Sequence, residues 1–161
     1  MPAYLIASMN VHSPDIYEGY KAEVPAHIAA HGGCYIVRGG ACDVVEGTWP
    51  AERIAVLEFP DFDSANAFVD DPAYAPVAAI RQRAAESHLW IVEGHDSGAT
   101  ADGLHAFLIA KVRMTDPAAY KPYAEQVPAV MADAAGTFLA RGGATRSVEG
   151  GMALDRLVIV G

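Results

Sequence analysis

Positive charge is scarce in this chain: 11 lysines and arginines stand against 20 aspartates and glutamates, for a formal net charge of −9. A protein that neutralises phosphates needs a basic footprint, so nucleic acid is excluded as a partner, and an anionic membrane surface with it. Cysteine is nearly missing. Cys34 and Cys42 are too few for a disulfide framework and point to a reduced, cytoplasmic setting. No apolar run approaches the roughly 18 residues a membrane span requires, and Met1-Pro2-Ala3-Tyr4-Leu5 lacks the basic and long apolar regions of a signal peptide. A Gly-x-Ser-x-Gly elbow, a phosphate-cradling glycine loop and a Cys-x-x-Cys pair are also missing, which removes the commoner hydrolase, nucleotide-binding and thioredoxin-like functions.

What the chain does contain is apolar substance and a repeat. It is 52% hydrophobic and 19% charged over 161 residues, enough for a real core in one domain or two small ones. Gly32-Gly33-Cys34-Tyr35-Ile36-Val37-Arg38-Gly39-Gly40, running on to Glu46-Gly47, returns as Gly136-Thr137-Phe138-Leu139-Ala140-Arg141-Gly142-Gly143, running on to Glu149-Gly150. A constant offset of 103 positions also relates Leu5 to Leu108, Pro14 to Pro117, Tyr17 to Tyr120, Tyr20 to Tyr123, Pro25 to Pro128 and Arg53 to Arg156. Matches of this density without an indel indicate an internal duplication.

In the first copy, residues 3–11 read as a strand, with Leu5, Ala7, Met9 and Val11 on one face and Tyr4, Ile6, Ser8 and Asn10 on the other. Ser13 or Asp15 is placed to cap a helix whose buried stripe is Tyr17, Tyr20, Val24 and Ile28; Pro25 is expected to bend or split it. Residues 34–45 read as a second strand with a bulge or bend at Gly39-Gly40, followed by a turn over Glu46 to Pro50 and a third strand from Arg53 to Phe59. A helical stretch at 63–87, broken at Asp71-Pro72, leads into a fourth strand from His88 to Glu93. The order β-α-β-β-α-β is the ferredoxin-like α+β pattern. The expected organisation is a complete unit over 1–94, a linker over 95–104 and a partial β-α-β-β unit over 105–161. In such units both helices cover one sheet face. Tyr4, Ile6, Ser8 and Asn10, with counterparts Phe107, Ile109, Lys111 and Arg113, would then be shielded by a second sheet packed face to face, within the chain or across a homodimer.

Together, Pro14-Asp15-x-Tyr17-x-x-Tyr20, Val24-Pro25, Gly32-Gly33-x-Tyr35-x-x-Arg38-Gly39-Gly40 and Glu46-Gly47-x-Trp49-Pro50 resemble the bacterial domain-of-unknown-function family numbered 1330. Glu58-Phe59-Pro60, Asp71-Pro72-x-Tyr74, Arg81 and Val92-Glu93-Gly94 extend the likeness. The resemblance implies a dimeric α+β barrel, related in fold to small oxygenases and isomerases that work without a metal or bound cofactor. It names no reaction, and fold analogy supplies none. The second copy lacks residues matching Glu58, Arg81 and Glu93.

The candidate ligand-binding set is Arg38, Tyr17, Tyr20, Glu58, Arg81, Arg141 and Tyr120, with no catalytic residue assigned. Arg38 can offer its guanidinium fork to the carboxylate or enolate of a small anionic ligand. Alternatively it is structural: a hairpin centred on Thr48 would set it opposite Glu58 as a scaffold ion pair, while Arg141 would face the chain end at Gly161. Tyr17 and Tyr20, repeated as Tyr120 and Tyr123, are core residues with hydroxyls at the rim, or one hydroxyl serves a substrate oxygen or proton. His27, His31 and Cys34 have metal-ligand spacing, but the second copy keeps none of them. Asp61, Asp63, Asp70 and Asp71 fit helix capping and a solvated face better than acid–base chemistry.

Overall fold

A computed structural model describes residues 1–49, 51–151 and 155–161. In chain order the elements are β1 (Ala3–Val11), α1 (Pro14–Ala30), β2 (Cys34–Arg38), β3 (Arg53–Phe59), α2 (Phe62–Asp70), α3 (Ala75–Ala84) and β4 (Ala85–Glu93). After a connecting segment come β5 (Leu108–Val112), α4 (Pro117–Asp133), β6 (Phe138–Arg141), β7 (Thr145–Glu149) and β8 (Arg156–Val160). The first sheet runs β2-β3-β1-β4-β7 and the second β5-β8-β6, with every pairing antiparallel. The order β2-β3-β1-β4 is the ferredoxin-like arrangement expected from the element order. β7 is the addition: it follows β6 in the chain but joins the outer edge of β4 in the other sheet.

β1 is the axis of the molecule, buried from Ala3 to Met9, because both of its faces are covered. Leu5, Ala7 and Met9 pack beneath the helices with Tyr17, Val24, Ile28, Phe68 and Val77. Tyr4 and Ile6 face the other way and join Val56, Trp90 and Val92 against Leu139, Ala140, Leu157 and Ile159 of the second sheet. The sheet face left bare by the helices is thus shielded by a second sheet of the same chain. Burial of that apolar face, which neither sheet could achieve alone, drives the pairing.

Several expectations are corrected. The strand expected over 34–45 ends at Arg38, and the bulge falls at Ile36, between Tyr35 and Val37. At Gly39 and Gly40 the backbone takes φ of 80° and 115°, which turns the chain out of the ladder. β4 begins at Ala85 rather than His88, because β1 offers ladder partners down to its pair with Ala85. α1 continues through Pro25; the proline leaves one carbonyl of the previous turn without its N–H donor but does not end the helix. Pro50, the last residue of the expected turn, lies outside the described residues. Asp61 accepts from the Ser64 N–H at 2.7 Å, the helix cap expected of it.

The segment between β4 and β5 is pinned to the first sheet. Tyr4 donates to the Ala99 carbonyl at 3.2 Å and the Ala101 N–H donates to Glu58 Oε2 at 3.0 Å. Among the described residues, no helix is long and apolar enough to cross a membrane.

Candidate functional site

The Arg-Gly-Gly motif ends β2 where α1 crosses the sheet, and here tyrosines and arginines collect. The Arg38 guanidinium lies 4.8 Å from the centre of the Tyr35 ring, and that of Arg53, at the start of β3, lies 5.9 Å from the Tyr17 ring. Tyr17 and Tyr20 stand 5.4 Å apart on α1, and the Tyr20 and Tyr74 hydroxyls are 3.3 Å apart. Gly39 makes the crossing possible. A Cβ there would sit 2.9 Å from Arg53 Nη1, and its φ of +80° disfavours any side chain. Arg53 Nη2 donates to the Arg38 carbonyl at 3.4 Å, while its buried Nε has no hydrogen-bond partner among the described residues.

The electrostatics follow from this crowding. Burial pushes the Tyr35 phenol up against the opposing pull of Arg38 and Arg53, with Tyr17 and Tyr74 raising it further. Tyr20 is pushed well up by burial and by Tyr74. Both hydroxyls therefore remain protonated donors at neutral pH. Arg81, paired with Glu149, borders the group at 5.8 Å from the Tyr20 ring, but Arg38, Arg53 and the Tyr35 hydroxyl bond no carboxylate among the described residues and suit a ligand that brings acceptor oxygens.

The second half repeats this construction 103 positions on. Arg141 lies 4.9 Å from the Phe138 ring and Arg156 6.0 Å from Tyr120; Arg156 Nη2 donates to the Arg141 carbonyl at 3.3 Å; the Tyr120 and Tyr123 rings stand 5.3 Å apart. These residues with Ala124, Val127 and Val158 line a cavity of about 30 Å³, room for a water. Two details differ: Phe138 has no hydroxyl where Tyr35 has one, and Arg141 spends an N–H on the Ala124 carbonyl.

Other expected placements change. Arg38 does not meet Glu58. It pairs with Ala55, and Cys34 takes the place opposite Glu58, because the long connection from 39 to 52 is not a tight hairpin centred on Thr48 and the bulge at Ile36 adds a residue. Arg141 likewise faces Val158 rather than Gly161. Glu58 lines a separate open cleft of about 450 Å³ with Met1, Pro2, Cys34 and Thr100. There the carboxylate raises the Tyr4 phenol, behind burial as the larger cause. Arg81, expected at the ligand site, is 2% exposed and is a pin instead. Its Nη1 and Nη2 donate to the two oxygens of Glu149 on β7 at 2.8 and 3.0 Å. Burial opposes the Arg81 charge, yet Glu149 and the phenols of Tyr74 and Tyr20 raise its pKa overall. Arg146 on β7 is a second pin, forking to Asp70 at 2.7 Å through both terminal nitrogens. The Tyr17 hydroxyl is committed to Met9 Sδ at 3.6 Å, so Tyr17 is the core residue of the two alternatives.

His27 packs near Tyr74, and His31 near Phe68, with its Nε2 3.6 Å from Asp71. No group of three His, Cys, Asp or Glu residues suited to a metal occurs among the described residues. The residues missing from the candidate set are Arg53, Tyr35 and Tyr74. For Arg53 a signal was present, since Arg53 and Arg156 recur at the same offset as the Arg-Gly-Gly motif.

The family described as "Domain of unknown function (DUF1330)" matches residues 2–95 and 105–161. Among curated proteins, none matches the sequence. A solved structure of the RPA0582 protein of unknown function from Rhodopseudomonas palustris is 16% identical, covering 59% of this chain and 83% of that one, with a TM-score of 0.49. The structure of SnoaB, a cofactor-independent oxygenase from Streptomyces nogalater, is 16% identical, covering 72% of this chain and 97% of that one, with a TM-score of 0.39.

Proposed function

The chain belongs to the domain-of-unknown-function family DUF1330, and since that family's description states no reaction, we propose a function from the site itself: a small-molecule-binding protein whose Arg38 and Arg53 hold a planar anion, a carboxylate or an enolate. One observation carries this. In a chain with net charge −9, Arg38, Arg53, Arg141 and Arg156 enter no ion pair among the described residues, whereas Arg81 and Arg146 both do, and each of the four stands over an aromatic ring, which sets them apart from the equally unpaired Arg83 and Arg113. Surplus carboxylates would pair with spare guanidiniums at little cost, so arginines kept from them and set over aromatic rings are arranged for an incoming anion. The Tyr35 phenol, held protonated, supplies a neutral donor beside them.

If the protein is an enzyme, this donor set fits the cofactor-independent oxygenase or isomerase kind, where an enolate must be stabilised. Proton transfer is not assigned to Tyr17, whose hydroxyl is spent on Met9. The test is titration with benzoate and salicylate, with chloride at equal ionic strength as control, followed by calorimetry. Arg38→Ala and Arg53→Ala should each weaken binding about 10- to 100-fold, the value of one charge-assisted pair. Equal affinities in the wild type and both variants would end the proposal.

A second function, non-catalytic self-association or scaffolding, has support of its own in the uncovered edge of β5. Its ion-pair element is not Arg38–Glu58 but Arg81–Glu149, which ties the second half onto the first.

A further inference from the structure

The two halves are finished differently. In the first, β1 lies inside its sheet, with β4 along its edge in a nine-residue ladder. β7 then closes over the far edge of β4, and α3 lies beside α1, with Tyr20 and His27 of α1 against Tyr74 at its start. In the second half, β5 takes the place of β1 but is an edge, and none of its residues is buried. α4 takes the place of α1 and buries none of its residues either. Tyr123 and Val130, the counterparts of Tyr20 and His27, are 59% and 58% exposed, and Leu108 on β5 is 51% exposed.

The third vacancy is the counterpart of β7. Residues 42–46 correspond to Thr145–Glu149 but form no strand, and Val44 and Val45 are 56% and 89% exposed. In the first half the order is β1, β4, β7. By the 103-residue correspondence the second half would run β5, an empty place, and the arm 42–46, which pairs with no strand among the described residues. β2 and β6 hold equivalent outer positions in the two sheets, and Leu139 of β6 already accepts from the His95 N–H at 2.7 Å.

We propose that β5, the open face of α4 and the arm 42–46 form a docking slot for a helix that runs directly into a β-strand, on the pattern of α3–β4, with an arginine in its last helical turn. The arginine follows from Glu46. Its counterpart Glu149 is forked by Arg81 from the last turn of α3, whereas Glu46 is exposed and enters no ion pair among the described residues. Asp43, where β7 has Arg146, adds a second acidic position and favours a basic partner. The strand would pair on both sides, with β5 and with the arm. That is β-augmentation with main-chain hydrogen bonds on two edges, and the helix would bury Tyr123 and Val130. The slot does not depend on the anion site at Arg38 and Arg53: it shares only Tyr123 with the second-half copy of that construction, and its test reads peptide rather than anion.

The probe is a segment spanning residues 75–94 of this same sequence, carried on an inert soluble fusion and added to the full chain. Hydrogen exchange should slow together at 42–46 and at 108–112, at one segment per chain. Glu46→Arg should weaken binding by about tenfold or more, and a segment with Arg81→Glu should restore it. The slot is overturned if the segment protects neither edge or only one, or if 108–112 is protected by concentration-dependent self-association alone. Binding that ignores the charge exchange would overturn the arginine requirement.

Discussion

At Gly39 a single missing Cβ decides where a charge lies. The Arg53 guanidinium passes under this residue, which also sits at a φ of +80°. Gly39→Ala therefore meets two penalties at once, left-handed backbone and a clash with Arg53 Nη1, and should cost about 1–2 kcal/mol in stability. The more telling readout is the anion titration, where the displaced guanidinium should weaken benzoate binding as Arg53→Ala does. Gly40 is the control: a Cβ there meets nothing within 4 Å, although its φ is also positive, so Gly40→Ala should cost backbone strain and leave the titration unchanged. Loss of binding in both variants alike would show that strain, not the Arg53 position, was being measured. Part of this was legible from the sequence, because Arg38, Tyr17 and Tyr20 stand in a motif that recurs. Glu58 lies opposite Cys34 rather than Arg38 chiefly because the connection over 39–52 is not a tight hairpin centred on Thr48, and the bulge at Ile36, a residue with no turn signature, shifts the register by one more.

Among the elements, β7 and the arm 42–46 have matching spacing and opposite fates. β7 is a strand because β4 gives it a ladder and Arg81 and Arg146 clamp it. The arm has neither, and strand structure at an edge depends on what lies beside it more than on local preference. That is why the sequence pattern suggested one continuous strand over 34–45 and could not reveal the extra strand in the first sheet. The clamp has a pH signature. Burial is the largest single influence on Glu149 and pushes its pKa up, but the Arg81 hydrogen bonds and charge, with Gln82 and His88, together outweigh it, so its folded pKa lies below the ordinary 4.5. A depressed carboxylate stabilises fully above that ordinary value and loses its contribution as pH falls through the lowered one. Glu149→Gln should flatten this part of the acid limb of a stability–pH curve. At neutral pH, Glu149→Ala should cost about 2–3 kcal/mol, because it leaves the buried Arg81 charge alone; the figure is below that for fully buried pairs because Glu149 is 24% exposed. The double variant Arg81→Met, Glu149→Leu should recover much of that loss. An unchanged acid limb in Glu149→Gln would refute the clamp as a source of stability.

Over the whole molecule the two sheets are one thermodynamic object, because the second half has strands in both. β6 and β8 build the second sheet while β7 closes the first, and Leu157 of β8 is fully buried against the face that carries Tyr4, Ile6 and Trp90. Face-to-face pairing was foreseeable in kind, since a half-apolar sheet face needs cover. That cover comes from within the chain was not, because spacing along a sequence does not say which copy of a face meets which. Leu157→Ala opens a cavity between the sheets and should destabilise by about 2–5 kcal/mol. The shared strands make a stronger demand. Loosening β8 must also loosen β7 and then the outer edge of β4, so amide exchange at Leu89 to Val92 should speed up with that at Phe138 to Arg141, although β4 is not mutated. Heating should give one transition followed equally by Trp90 fluorescence and by helix content. Two separate transitions, with the Leu89 to Val92 amides as slow as in the wild type, would mean that the sheets only touch, and that the apolar face of β1 is stable without the second one.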